Sequence, residues 1–156
     1  MKLQWLEPVV APAVAAPSVA DLGAVGVLHE VLPADPAGYQ PQLDTLKSAR
    51  GYVEQDIIEL HPHTDGLDAI CAKFEGEHLH TDDEVRYVLE GEGIFDIRGG
   101  DDRWIRVTVQ AGDLIVVPAN LHHRFFLTER QHMRCVRLFK DKTGWVPHYR
   151  QPQPRT

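Results

Sequence analysis

Two histidines and a glutamate, His78, His80 and Glu84, stand at the spacing H-x-H-x3-E inside E-H-L-H-T-D-D-E-V-R-Y-V-L-E-G-E-G-I-F-D-I-R, residues 77 to 98. Side chains two apart on an extended segment leave the same face, so the imidazoles of His78 and His80 aim at one point. A short polar turn over residues 81–83 then brings Glu84 back toward that point at the start of the next strand. Nitrogen and oxygen donors in this combination suit a divalent first-row metal with positions left open for a substrate. A further donor is on offer in G-D-L-I-V-V-P-A-N-L-H-H-R-F, residues 112 to 125, where an apolar strand ends in a Pro-Ala-Asn turn that leads into His122 and His123. Neighbouring strand residues point to opposite faces, so only one of this pair can look inward.

Positioning these groups requires a scaffold of short strands. After the first motif the chain runs through 85–89, 94–98, 104–109, 114–117, 124–127 and 133–139, β-branched or aromatic stretches punctuated by Gly91, Gly93, Gly99, Gly100 and Gly112. Such a succession predicts a closed sheet. Ahead of it, residues 25–32 suit a strand and a loop, and residues 42–50 a short helix stopped by Gly51. From Gly66 a second helix is expected, because Leu67, Ile70, Cys71 and Phe74 fall at i, i+3, i+4 and i+7. It delivers the chain to His78.

A chain of 156 residues fits one domain with its own core. A formal net charge of -7 and no basic stripe argue against nucleic acid or an anionic membrane surface as partner. Cys71 and Cys135 lack a C-x-x-C partner, which favours a reduced, cytoplasmic setting over a disulfide framework. In residues 1–20, Glu7 and the prolines Pro8, Pro12 and Pro17 interrupt the apolar run, so a loosely ordered or edge-packing start is expected rather than a signal peptide. No stretch is long and apolar enough to span a bilayer. The domain is expected over residues 21–150, with 151–156 as a polar tail.

The two motifs together resemble those of the cupins. The first, H-x-H-x3-E-x6-G, is met through Gly91; the second, G-x5-P-x-G-x2-H, through Gly112, Pro118 and His123, with Asn120 where the pattern has glycine. Asn tolerates positive φ better than most residues, so the departure is mild. The pattern selects His123 over His122. The implied fold is all-β with a few short helices, the double-stranded β-helix or jelly-roll barrel.

Between the ligands the words are more specific. The run H-L-H-T-D-D-E-V-R-Y-V-L-E-G-E-G-I-F-D-I-R, followed by D-R-W-I-R-V, A-G-D-L-I-V-V-P-A, H-R-F, R-L-F and Trp145, resembles the acireductone dioxygenases of methionine salvage. The resemblance is dense from Phe74 to Phe139. It implies one Fe(II) or Ni(II) per chain, held by His78, His80, Glu84 and His123, with two octahedral positions for water and then for the two oxygens of an ene-diol. The implied substrates are 1,2-dihydroxy-3-keto-5-methylthiopentene and O2. Iron would give formate and 4-methylthio-2-oxobutanoate; nickel would give formate, carbon monoxide and 3-methylthiopropionate. A monomer is expected.

Arg86 lies two residues after Glu84 and so shares its interior face. There it either pairs with an enolate oxygen of the substrate, the role the resemblance favours, or makes a structural ion pair with a carboxylate. Phe125 shares a face with His123, Phe74 sits on the helix before His78, and Trp145 either closes the mouth of the barrel or pins the tail. The resemblance makes these three substrate-pocket residues; plain core is the alternative. Glu77 and Asp83 flank the ligands, either as outer partners that orient imidazoles or help metal loading, or as exposed turn carboxylates. His61 and His63 straddle Pro62 without a following glutamate, and His29, His132 and His148 are isolated, so none of the five is expected to bind metal. Two other readings stay open: a different metal-dependent cupin enzyme, such as an isomerase or another dioxygenase, and a non-catalytic ligand-binding cupin.

Overall fold

Turn residues and alternating apolar positions give a mostly β chain in the computed structural model, which describes residues 1–6, 16–141 and 145–150. In order the elements are β1 (Lys2–Trp5), α1 (Val19–Gly23), β2 (Leu28–Val31), α2 (Pro36–Arg50), β3 (Glu54–Leu60), α3 (Leu67–Glu75), β4 (His78–Leu79), β5 (Glu84–Arg98), β6 (Trp104–Gln110), β7 (Asp113–Val117), β8 (His123–Leu127), β9 (Met133–Phe139) and β10 (His148–Tyr149). The strands pair antiparallel in two series, β1-β6-β5-β8-β4-β10 and β2-β7-β5-β9-β3, wrapped into the jelly roll. Of the N-terminal stretch, Lys2–Trp5 forms an edge strand on β6, and residues 7–15 lie outside the described residues, as does the 151–156 tail.

The strand β5 belongs to both series. Its first half pairs with β7 and β9, its second with β6 and β8. Two strands separated by a glycine turn were the expectation here; the chain bends instead of breaking. The β5–β9 register shifts between Val88 and Glu90, and Gly91 follows at φ +78°. A Cβ on Gly91 would lie 2.0 Å from the carbonyl oxygen of His132. Left-handed backbone and close approach of another strand both demand glycine at this bend. Gly91→Ala is expected to lower stability by roughly 2–3 kcal/mol, read as the shift in the urea midpoint at constant slope.

The bend creates an inside and an outside. Val88, Phe95, Ile97, Val107, Ile115, Val117 and Phe125 pack inside the barrel. Val85, Tyr87, Leu114, Val116, Val136 and Leu138 face the other way and pack under Tyr39 and Leu43 of α2. This second layer explains why β7 is buried at every position: it has a barrel face and a helix face, so its sequence is apolar throughout rather than alternating. By the same parity Glu84 and Arg86 point into the barrel while Val85 and Tyr87 point at α2.

Two elements differ from expectation. The helix α2 starts at Pro36, not near residue 42, capped by Asp35 and carrying Pro41 inside it. A proline in the second turn forfeits one backbone hydrogen bond, which Leu43, fully buried beneath the helix, helps to offset. The strand β3, E-Q-D-I-I-E-L, has no clear alternation and was not anticipated; it zips onto β9 from Glu54↔Phe139 to Leu60↔Met133.

Candidate metal centre

The short strand β4 sets His78 directly across from His123 of β8. His80 follows two residues later, and Glu84 opens β5 opposite Val117. The turn between β7 and β8 contains Asn120 at φ +68°, the left-handed conformation that the glycine of the motif would adopt. Its N–H donates to the His80 carbonyl at 2.8 Å, tying the turn that carries His123 to the loop that carries His80.

These elements bring three imidazoles together in the barrel. Ring centroids lie 4.9 Å apart for His78 and His80, 4.6 Å for His78 and His123, and 5.1 Å for His80 and His123. One ring nitrogen from each falls within 4.8 Å of the others, the one such group found among the described residues. Glu84 joins them, its Oε2 2.9 Å from His123 Nε2. His122 is half-buried and outside this group.

Main-chain carbonyls set the direction of every ring. His78 Nδ1 donates to Gly76 O at 2.6 Å, His80 Nδ1 to Val146 O at 3.2 Å, and His123 Nδ1 to Leu121 O at 2.8 Å. A carbonyl only accepts, so each Nδ1 carries the proton; the Nε2 of His78 and of His80 then presents a lone pair, while His123 Nε2 is engaged with Glu84 Oε2. The Nε2 atoms of His78 and His80 are buried without a hydrogen-bond partner. Buried polar atoms in that state cost free energy unless something else binds them. Two orphaned lone pairs, together with a third imidazole nitrogen and a carboxylate oxygen that now bond to each other and would both turn to an ion, form a donor set that fits a divalent cation.

The electrostatics agree with that fit. Burial, then the neighbouring His123, pushes His78 down to about 4, and burial likewise lowers His80, so both stay neutral and able to donate near neutral pH. Burial alone would raise the Glu84 carboxyl. The Arg86 guanidinium and the His123 imidazole outweigh it and hold the carboxyl well below its usual range. Arg86, buried as well, is kept charged by Glu84: its Nε and Nη2 reach Glu84 Oε1 at 3.2 and 3.1 Å, and its Nη1 donates to Cys135 Sγ at 3.5 Å.

A cavity of about 330 Å³ opens beside this cluster, reaching Arg86 and Phe125 at its inner end and passing between Ile58 and Leu60 of β3, Ile70 and Phe74 of α3, and Arg137 of β9. Arg86 lies 4.7 Å from the centroid of Phe125 and 5.2 Å from that of Trp145. The Phe74 ring stands 5.8 Å from His78 and 6.2 Å from His80. Trp145 is 6 % exposed, stacks on His80 at 6.1 Å and donates from Nε1 to Asp83 O at 3.2 Å, so it covers the His80 imidazole. Phe74, Arg86 and Phe125 therefore line one cavity, and Trp145 packs behind it on Arg86 and His80.

The flanking carboxylates do something other than touch imidazoles. Asp83 accepts from the Tyr52 hydroxyl at 2.5 Å and from Ala119 N–H at 2.9 Å, joining the segment that follows α2 to the turn before His123. Glu77 accepts from Arg98 and Arg150. Residues not anticipated from sequence are Ile58, Leu60 and Arg137 in the cavity wall, Cys135 against Arg86, and Val146 behind His80. The first four are set by cross-strand register and the last is a backbone oxygen, so spacing along the chain gave no sign of them.

The chain has relatives among known proteins. The model of the ARD/ARD' family matches residues 6–147. The chain is 46% identical over 136 residues to an acireductone dioxygenase of Heterostelium pallidum, covering 87% of this chain and 92% of that one. It is 44% identical over 137 residues to acireductone dioxygenase 1 of Physcomitrium patens, covering 87% of this chain and 70% of that one. Among solved structures, an acireductone dioxygenase from Bacillus anthracis with a cadmium ion in its active centre superposes with a TM-score of 0.82 at 29% identity, covering 94% of this chain and 96% of that chain.

Proposed function

Because the chain belongs to the ARD/ARD' family of acireductone dioxygenases and acts as one, we propose that it binds one iron(II) or nickel(II) through His78, His80, Glu84 and His123. Its substrates are then O2 and 1,2-dihydroxy-3-keto-5-methylthiopentene, in methionine salvage and in the cytoplasm. The observation that carries this reading is the pair of buried, unpartnered Nε2 atoms of His78 and His80 directed into the same space as His123 Nε2.

When bound, the metal would supply a Lewis acid for the oxygens of the ene-diol. The remaining work falls to the chain. Arg86 offers N–H groups beyond those spent on Glu84 and Cys135, and a guanidinium stays charged when buried, so it holds negative charge developing on the substrate. Its charge and that of Glu84 cancel locally, which lets the site take up an anion without stranding a carboxylate. Phe74, Phe125 and Trp145 exclude water from the reacting carbons, and the apolar cavity between β3 and α3 takes the methylthio tail.

Only the metal differs between the two product sets. We expect the iron-reconstituted protein to yield formate and 4-methylthio-2-oxobutanoate, and the nickel form to yield formate, carbon monoxide and 3-methylthiopropionate. Product analysis of each form under O2 is the test. Absence of turnover in both would defeat the reading, and turnover of another diol alone would replace it with a different cupin enzyme. The expected monomer can be checked by light scattering.

A further inference from the structure

Residues 145–150 supply three of the contacts that shape the centre, the first two being the Val146 carbonyl behind His80 and the Trp145 ring stacked on it. A third is the Tyr149 ring, edge-on to His78 at 6.1 Å. Yet the segment is joined to the barrel by a strand pair of minimal length, His148↔Leu79 and Tyr149↔His78. Two residue pairs at a sheet edge are marginal alone. At its start the segment is held by the buried Trp145, packed 4.8 Å from Phe139 and bonded to Asp83 O.

At its other end the fastening is polar. Glu77, the residue before His78, takes three guanidinium hydrogen bonds: from Arg98 Nε and Nη2, each at 2.9 Å, and from Arg150 Nη1 at 2.9 Å. The Arg150 N–H also donates to the Glu77 carbonyl at 3.0 Å. Arg150 continues to both carboxylate oxygens of Asp102, at 3.0 and 3.3 Å, and Arg98 Nη1 donates to the Asp102 carbonyl at 2.7 Å. Beside this network the Tyr149 hydroxyl donates to Lys73 O, in the last turn of α3, at 2.6 Å. Lone surface ion pairs are worth little, but two guanidiniums and two carboxylates closed into a network with backbone contacts are a different case.

We propose that Arg150 and Glu77 are positioning residues for the metal centre: a clasp that holds residues 145–150 against β4 and thereby fixes the imidazoles of His80 and His78. This rests on the metal-binding role given above. His80 is the ligand most dependent on the clasp, because its Nδ1 partner lies across the chain at Val146 and at the longest of the three anchoring distances, whereas His78 and His123 are anchored by carbonyls two residues away. A ligand whose outer partner is loosened lets go of its metal sooner.

The test uses the full-length nickel-loaded protein with Arg150→Gln, with Arg150→Lys for partial rescue. Arg130→Gln serves as a charge-matched control at an arginine that is 74% exposed. Two quantities are read: nickel loss to an excess of chelator, and amide hydrogen exchange over residues 145–149. The expected result is nickel loss faster by roughly 10-fold or more in Arg150→Gln, with faster exchange in the segment, an intermediate rate for Arg150→Lys and no change for Arg130→Gln. High salt should speed nickel loss from the parent and not from Arg150→Gln. Nickel loss within about twofold of the parent overturns the proposal, whether or not exchange accelerates, since outer partners are expected to matter by roughly 10-fold. Equal acceleration by Arg130→Gln overturns it too, as a bulk charge effect. A parent that never retains nickel fails at an earlier step, defeating the metal-centre reading itself and the clasp with it.

Discussion

His123→Ala is expected to leave a folded barrel that purifies with far less than one metal per chain and loses turnover by on the order of 10³-fold or more. Removing a mere outer partner of a metal ligand costs roughly 10–100-fold in affinity or activity, and His123 is itself a proposed ligand. It also pairs with His78 across the neighbouring strand and touches Glu84, so its loss removes the donor that stands between the others. The fold should survive. Glu84 keeps its two contacts from Arg86, and alanine leaves a space beside groups that can admit water. Elemental analysis and O2 uptake measure the two losses, and a full complement of metal in the variant would remove His123 from the ligand set.

Arg86→Met is the second large effect, and it separates the two roles left open for this residue. As a holder of substrate charge, its loss should lower kcat/KM by roughly 10²–10³, the usual cost of one donor aimed at developing charge. As the partner of a buried carboxylate, its loss should also cost about 3–5 kcal/mol of stability. The pH dependence follows in sign. In the parent, Arg86 holds the Glu84 carboxyl below its ordinary value, so what Glu84 contributes is fully present above the ordinary carboxylate range and is lost only as pH falls through the depressed value in strong acid. Without the guanidinium, burial is opposed only by the imidazoles, so the carboxyl titrates higher than in the parent and metal retention should fail at a higher pH than it does in the parent. Arg86→Lys restores the charge without the planar fork and should recover part of the acid tolerance and little of the rate. A variant with parental kcat/KM but lowered stability would assign Arg86 to structure alone.

What the sequence disclosed was local. His78, His80 and Glu84 declare themselves by a spacing that strand parity turns into convergence, and α3 by an i, i+3, i+4, i+7 stripe. Arg86 follows from Glu84 by parity, and the apolar run of β7 is legible as a strand though not as one buried on two faces. The parts that stayed hidden depend on residues far apart in the chain. Nothing in E-Q-D-I-I-E-L announces that β3 will pair with β9 and set Ile58 and Leu60 in the cavity wall. Gly91 and Gly93 look like a turn because glycine usually makes one, and only the approach of His132 shows that the strand continues through them. Val146 contributes a carbonyl, which no residue type reveals.

The continuity of β5 has a consequence for which changes the chain can tolerate. One end of this strand meets Val117 at Glu84, and the other meets His123 at Ile97, yet Glu84 and His123 end up in contact. The strand therefore acts as a ruler curled on itself, and its graduations are single residues. Inserting or deleting one residue between Glu84 and Gly91 would turn the carboxylate and Arg86 outward while leaving Ile97 opposite His123, whereas the loops at either end can lengthen without moving either mark. The dimensions of the reaction chamber are thus stored in the length of one ribbon, and drift is confined to the margins.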